Sequence, residues 1–81
     1  MKQDVTFELR TDHITLDALL KATGVVISGG AAKQVILEGQ VQVDGQTELR
    51  RGRKVRAGQE VSVGAQVCIR LLAAPTAGGQ P

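Results

Sequence analysis

The sequence is poor in aromatic residues and in cysteine. Phe7 is the only aromatic side chain among 81 residues, so a core has to be built from valine, leucine, isoleucine and alanine. Proteins that read single-stranded RNA commonly stack bases on exposed aromatic rings, and this chain has no such rings to spare. Cys68 is the only cysteine, which excludes an internal disulfide and fits a reducing cytoplasm.

Signals for secretion and for membrane insertion are also missing. The first ten residues lack the apolar segment of a secretory signal, and no apolar run approaches the roughly 20 residues that span a bilayer. A chain of 81 residues is one small domain, with little room for a deep enzyme pocket. We therefore expect a cytoplasmic protein that binds no membrane, with one domain over residues 1–73 and a disordered tail, rich in glycine and proline, over 74–81.

Groupings of residues that would support catalysis or metal binding are absent from the pattern. His13 is the only histidine, and it has neither a nucleophile partner nor a second metal ligand at a suitable spacing. Asp17, Glu38 and Glu48 are scattered and do not suggest a carboxylate pair. The sequence therefore predicts no enzyme, no bound metal and no cofactor.

Positive charge is concentrated in one place. The formal net charge is only +2, but five of the seven residues in RRGRKVR, residues 50–56, are basic and none is acidic. Cations without a nearby acid repel one another unless an anion neutralises them, and arginine presents a fixed fork of donors to phosphate oxygens. This basic segment, defined as residues 50–56, is predicted to be an exposed loop over residues 50–54. The charges alone are consistent with a solvated surface or with a binding site for a polyanion.

The clearest signals of local structure lie between residues 28 and 45. Ser28 is a good helix N-cap, apolar residues then recur at helical spacing, and Gly39 occupies the place where a helix ends. Val41 and Val43 alternate with polar residues, which is typical of a strand. Asp44-Gly45 is a strong signal for a hairpin turn.

The remaining pattern predicts a first helix and several strands around this stretch. The helix covers residues 16–23, with Thr15 as its preferred N-cap, and packs against the second helix as a hairpin. Alternating apolar residues predict strands at residues 5–9, 46–49, 60–63 and 66–72. The predicted fold is α+β, with a two-helix hairpin packed on a small, curled, mostly antiparallel sheet.

Three groups of residues, in this order, resemble a known family. The first group is Leu16-Asp17 followed by Leu19 and Leu20. The second is Ser28-x-x-x-Ala32-Lys33-x-x-Ile36-x-x-Gly39-x-Val41-x-Val43-Asp44-Gly45, and the third is Lys54-Val55-x-x-Gly58-x-x-Val61. Over about residues 14–63 the chain resembles the RNA-binding domain named after ribosomal protein S-four, in particular small bacterial proteins that consist of this domain alone.

The resemblance implies an alpha-L motif that binds structured RNA, often ribosomal RNA, through the helix pair and its flanking basic loops. The family often has arginine at the positions of Thr15 and Gly29, whereas much of the positive charge lies here in the basic segment. We expect a monomer, with a ribosomal or RNA-processing protein as a further candidate partner. The predicted RNA-binding residues are Lys21, Ser28, Lys33, Gln34, Arg50, Arg51, Arg53 and Lys54.

Two other functions fit the residues less well. A protein-interaction module of a ribonucleoprotein complex would use a sheet edge, for which the last predicted strand, residues 66–72, is the candidate. Two closely joined helices also resemble a DNA-binding helix-turn-helix, although the second helix offers few base-reading side chains.

Overall fold

The computed structural model describes residues 3–73 and has the predicted α+β architecture, with two helices and a mostly antiparallel sheet. The tail predicted over residues 74–81 lies outside the described residues. In chain order the elements are β1 (Gln3–Leu9), β2 (Ile14–Thr15), α1 (Leu16–Ala22), α2 (Gly29–Leu37), β3 (Val41–Val43), β4 (Gln46–Thr47), β5 (Lys54–Val55), β6 (Glu60–Val63) and β7 (Val67–Ala73).

Within residues 3–73, seven strands form two sheets. The larger sheet has the order β1-β7-β6-β3-β4, and β2 pairs with β5 in a separate antiparallel ribbon. Within the larger sheet only β1 and β7 run parallel. The prediction that the last strand is a sheet edge is therefore wrong, because β1 covers β7 on the side away from β6 and satisfies its backbone groups.

Helix α1 begins in a way that the sequence did not predict. Thr15 occupies the N-cap position, but its side chain makes no capping hydrogen bond. Instead, the free amides of Leu16 and Asp17 donate to the carbonyl oxygens of Arg53 and Arg51, at 2.9 and 3.1 Å. The basic segment thus replaces a side-chain cap, which couples its backbone to the start of α1.

Helix α2 follows the sequence signals closely. The Ser28 hydroxyl oxygen accepts a hydrogen bond from the amide of Ala31 at 3.1 Å, as an N-cap should. Ala32 and Ile36 are buried on the inner side of the helix. Gly39 then adopts a φ of +78°, the left-handed conformation that ends a helix with least strain for glycine.

The predicted hairpin turn is present. Asp44 and Gly45 have φ values of +51° and +84°, as required at both central positions of a type I′ turn. The turn pairs Val43 with Gln46 in β3 and β4. The returning strand ends at Thr47 rather than at residue 49, and Lys54 belongs to a strand instead of the predicted loop.

A purely aliphatic core lies between the helix pair and the sheet. Phe7 is only partly buried against this core. The buried residues come from both helices and from five of the strands or their ends: Leu9, Leu16, Leu19, Leu20, Ala32, Ile36, Val41, Val43, Val55, Val61, Val63, Ile69 and Leu71. Since Val55 is fully buried and follows Lys54 directly, burial of Val55 fixes one end of the basic segment against the core.

Candidate nucleic-acid interface

The basic segment is held at both ends and in the middle. Its start follows the short β4, and its end forms β5, which pairs with β2 directly before α1. Between them, the amide of Arg53 donates to the carbonyl oxygen of Arg50 at 3.2 Å, which closes a turn. The carbonyl groups of this turn point to the start of α1, so its backbone has a defined position relative to the helices.

The expectation that these cations have no nearby acid is wrong. The carboxylate of Glu48 forms ion pairs with Arg50 Nε at 3.0 Å and with Arg53 Nη1 at 2.8 Å. Asp12 lies 3.8 Å from Arg56, with both side chains largely exposed, so that pair contributes little. The self-repulsion of the segment is thus reduced within the chain itself, mainly by Glu48.

Glu48 is the one buried polar or charged residue within residues 3–73, with 7% of its surface exposed. Hydrogen bonds from the Arg50 side chain, followed by those from the Arg50 amide and from Arg53, lower the pKa of Glu48 from 4.5 to about 2 against the opposing effect of burial. The same contacts raise the pKa of the Arg50 guanidinium. Glu48 therefore carries a negative charge at neutral pH.

The sequence contains a signal for this buried acid that our reading of the charges missed. A two-residue turn at residues 44 and 45 sets the hairpin register, and continuing that register places Glu48 opposite Val41. The amide of Glu48 does donate to the carbonyl oxygen of Val41 at 3.0 Å. Residues directly opposite in a hairpin share a face, so Glu48 falls on the same side as buried Val41 and requires cationic partners.

Arg51 and Lys54 are the exposed cations of the segment for which no ion pair occurs within residues 3–73. Arg50 is paired, but its side chain is 75% exposed. Arg53 is less accessible, with a side chain that is 33% exposed and donates to Glu48 and to the carbonyl oxygen of Lys54. The four predicted contacts in this segment thus differ in their availability to a ligand.

The other four predicted contact residues lie on or beside the helices. Lys21 is in the last turn of α1 and is exposed. Lys33 and Gln34 line a shallow depression of about 340 Å³ along α2, and the Gln34 amide donates to Glu38 at 3.2 Å. Within residues 3–73, no side-chain hydrogen bond joins Lys21, Ser28, Lys33 or Gln34 to the basic segment.

Metal-binding clusters are not found in the part of the chain that the structure describes. Residues 3–73 contain no group of three or more histidine, cysteine, aspartate or glutamate side chains placed to hold a metal ion. The His13 carbonyl oxygen accepts a hydrogen bond from the Thr11 hydroxyl at 2.8 Å, whereas its imidazole makes none within residues 3–73. Cys68 is half-buried in β7, with its sulfur 3.9 Å from Glu60. Neither of the two described helices is long and apolar enough to cross a membrane.

Acid is expected to remove the stabilisation that Glu48 provides. Because the pKa of Glu48 is lowered from 4.5 to about 2, its contribution is fully present above about pH 4.5 and is lost as the pH falls to about 2. The difference in free energy of unfolding between the natural protein and a Glu48→Gln variant should therefore shrink over this interval. Urea unfolding at several pH values between about 6 and 2 measures that difference.

A variant that lacks both partners, Arg50→Ala with Arg53→Ala, serves as the control for this pH dependence. Without the two guanidinium groups the pKa of Glu48 should rise, because burial disfavours the charged carboxylate. Substituting Glu48 in that background should therefore no longer remove a stabilisation that is lost between about pH 4.5 and 2. A difference between natural protein and Glu48→Gln that stays constant down to pH 2 would contradict the stabilising role of the carboxylate.

The chain is similar in sequence and in structure to known proteins. The S4 domain family, named after ribosomal protein S-four, matches residues 7–71. The solution structure of YbcJ from E. coli, described as revealing an alfaL motif involved in RNA-binding, is similar with 44% sequence identity and a TM-score of 0.63. The match covers 86% of this chain and 91% of YbcJ. No match was found among curated protein sequences. The match across most of the sequence, together with the helix pair and the mixed sheet, shows that the chain belongs to the S4 domain family.

Proposed function

We propose that this chain is a non-enzymatic RNA-binding module that recognises structured RNA through phosphate and shape contacts. The observation that carries this proposal is the basic segment, in which five cations within seven residues lie on a backbone held against α1. Its S4 domain family and the description of its neighbour YbcJ as involved in RNA-binding support the same function. Arginine and lysine on a fixed backbone suit phosphates, because their hydrogen bonds to phosphate oxygens are charge-assisted and each neutralised phosphate releases counterions.

The lack of aromatic side chains favours folded RNA over single strands. Phe7, the only aromatic residue, packs against the core and is unsuited to stacking on unpaired bases. Duplex RNA is recognised mostly by shape and by contacts to phosphates and 2′-hydroxyl groups. We therefore expect modest base specificity, and we propose ribosomal RNA, with its many hairpins, as the class to test first.

The proposed contact residues fall into two groups with different roles. Within the basic segment, Arg51 and Lys54 contact phosphate directly, Arg50 does so with the edge that faces away from Glu48, and Arg53 mainly holds the turn. On the helices, lysine side chains and the α2 N-terminus contact further phosphates. The full set is Lys21, Ser28, Lys33, Gln34, Arg50, Arg51, Arg53 and Lys54.

We further propose that residues 1–73 act as one domain in the cytoplasm, as a monomer that meets ribosomal or RNA-processing proteins through the RNA they share. The alternative of protein interaction through the last strand loses its basis, because β7 lies inside the sheet between β1 and β6. DNA binding is kept as an outcome of the experiment below.

The proposed function predicts salt-sensitive binding to structured RNA. Fluorescence anisotropy titrations at several salt concentrations compare a ribosomal RNA hairpin, a single-stranded RNA and a DNA duplex. For about three to five phosphate contacts, log K should fall against log salt with a slope of roughly −2 to −4.5. The hairpin should bind most tightly at every salt concentration, since shape recognition depends on the A-form groove.

Three other results of these titrations would contradict parts of the proposed function. Affinity that does not change with salt would contradict phosphate binding, and tighter binding to the DNA duplex would replace RNA by DNA as the ligand. Equal binding to the single strand and the hairpin would refute recognition of folded RNA.

A further inference from the structure

The Glu48 carboxylate contacts residues of the basic segment and is turned away from solvent. Its oxygen Oε2 accepts hydrogen bonds from the Arg50 amide at 3.1 Å and from Arg50 Nε at 3.0 Å. Its oxygen Oε1 accepts from Arg50 Nη2 at 3.4 Å and from Arg53 Nη1 at 2.8 Å. Both carboxylate oxygens are thus engaged by the same four-residue turn, and little of Glu48 is accessible to a ligand.

The pairing with Arg50 uses one side of the guanidinium and leaves the other side to solvent. A guanidinium carries five N–H groups in one plane, and Glu48 engages Nε and one terminal nitrogen. Three N–H groups therefore remain, on a side chain that is 75% exposed. An arginine held in this way has already lost much of the rotamer freedom that a mobile surface arginine would lose on binding a phosphate.

The same turn is also held from its other side by α1. The carbonyl oxygens of Arg51 and Arg53 accept from the first amides of the helix, while Glu48 holds the side chains of Arg50 and Arg53. Arg51, between these two paired residues, has no ion pair of its own within residues 3–73. The contacts thus fix the turn around an exposed cation.

We propose that Glu48 is a positioning residue of the RNA surface, which orients the guanidinium of Arg50 and the turn at residues 50–53 toward RNA phosphates. This inference rests on the proposed function. It assigns an acidic residue a favourable role in binding a polyanion, which is opposite to what its charge alone predicts. Charge alone would make Glu48 repel phosphates, so that its removal would strengthen binding.

The two explanations predict opposite results for a Glu48→Gln variant. This substitution keeps the shape of the side chain and raises the formal net charge by one from +2. If Glu48 positions Arg50, affinity for the ribosomal RNA hairpin should fall about fivefold, because the freed arginine has to be ordered on binding. If only charge matters, affinity should rise or stay unchanged.

The matched control is Glu8→Gln, which makes the same change of charge at an exposed site on β1 with no ion pair within residues 3–73. It should bind the hairpin as tightly as the natural protein or slightly more tightly. Nitrogen-15 NMR provides a readout independent of RNA. The Arg50 Nε–H signal should be slow to exchange with water in the natural protein and in Glu8→Gln, and should exchange fast in Glu48→Gln.

A second substitution covers the case in which Glu48→Gln does not fold. Arg50→Lys keeps the positive charge but cannot make the two-point contact with the carboxylate, so it should also weaken hairpin binding about fivefold at unchanged net charge. Binding by either variant that equals or exceeds that of the natural protein would overturn the proposal. If the natural protein itself shows no salt-sensitive RNA binding, the proposed function is wrong. If the natural protein binds RNA and the variants bind it equally well, only the proposed role of Glu48 is wrong.

Discussion

Reversing the charges of Arg51 and Lys54 with the double substitution Arg51→Glu and Lys54→Glu should lower the affinity for a structured RNA about 100-fold. Both side chains are exposed cations without an ion pair within residues 3–73. A hydrogen bond to a charged group contributes about 1.5 kcal/mol or more. Losing two such contacts therefore removes about 3 kcal/mol, which is about 100-fold in the dissociation constant at 25 °C.

Salt dependence shows whether the lost affinity reflects lost contacts. With two phosphate contacts fewer, the slope of log K against log salt should become less steep by about 2. Titrations of the same RNA hairpin at several salt concentrations measure both quantities. Circular dichroism should show an unchanged fold, because exposed substitutions usually alter stability by less than about 0.5 kcal/mol each.

The matched control for this double substitution reverses two other cations. Arg10 and Arg70 lie outside the basic segment, and Arg70 is on β7 beside Glu60. Changing both to glutamate alters the formal net charge by the same amount but should leave the slope unchanged, with only a small loss of affinity from weaker long-range attraction. Equal losses in both double variants would mean that net charge, and not the basic segment, determines binding.

Much of the fold could be predicted because the strongest sequence signals act over short distances. The N-cap at Ser28, the helix end at Gly39 and the turn at residues 44 and 45 each depend on a few neighbouring residues. These signals correctly predicted α2, β3 and the hairpin between them. The cap of α1 was not predictable in this way, because the carbonyl groups that replace a side-chain cap come from more than thirty residues later in the chain.

The order of strands in the sheet could not be derived from the same signals. Alternation shows that a segment is a strand with one buried face, but it does not show which strand pairs with which. The first and last strands of the described residues, β1 and β7, pair in parallel, although no short connection links them. The wrong prediction of a free edge at residues 66–72 followed from assuming that the last strand in sequence is also the last in the sheet.

In the candidate site, too, features that depend on neighbouring residues could be predicted, whereas contacts set by strand pairing could not. The run of cations was visible in the sequence, and its exposure was largely predicted. The role of Glu48 was missed because an acidic residue two positions before a basic run is normally interpreted as an exposed charge. Only the hairpin register, continued from the turn to residue 48, shows that Glu48 lies opposite buried Val41. Charge patterns alone therefore overestimated the number of cations that are available to a ligand.

Replacing Leu20 by alanine is expected to destabilise the domain by about 2–5 kcal/mol. Leu20 lies on α1, is fully buried, and belongs to a core that contains no aromatic side chain. A domain of this size rarely draws more than about 3–5 kcal/mol of net stability from a single core, so the substitution should remove most of it. The carbonyl oxygen of Leu20 accepts from the amides of Val25 and Val26, and alanine keeps these bonds, so the loss reports on the side chain.

Leu37→Ala is the matched control for Leu20→Ala, since it removes the same atoms from the other helix. Leu37 is 60% exposed, so its truncation should cost no more than about 0.5 kcal/mol. Urea unfolding of both variants and of the natural protein gives the two free-energy differences. Similar losses at both positions would contradict a core that lies between the inner sides of the helices and the sheet. The expected difference would instead show that the helix pair which supports the basic segment is held by its buried leucines.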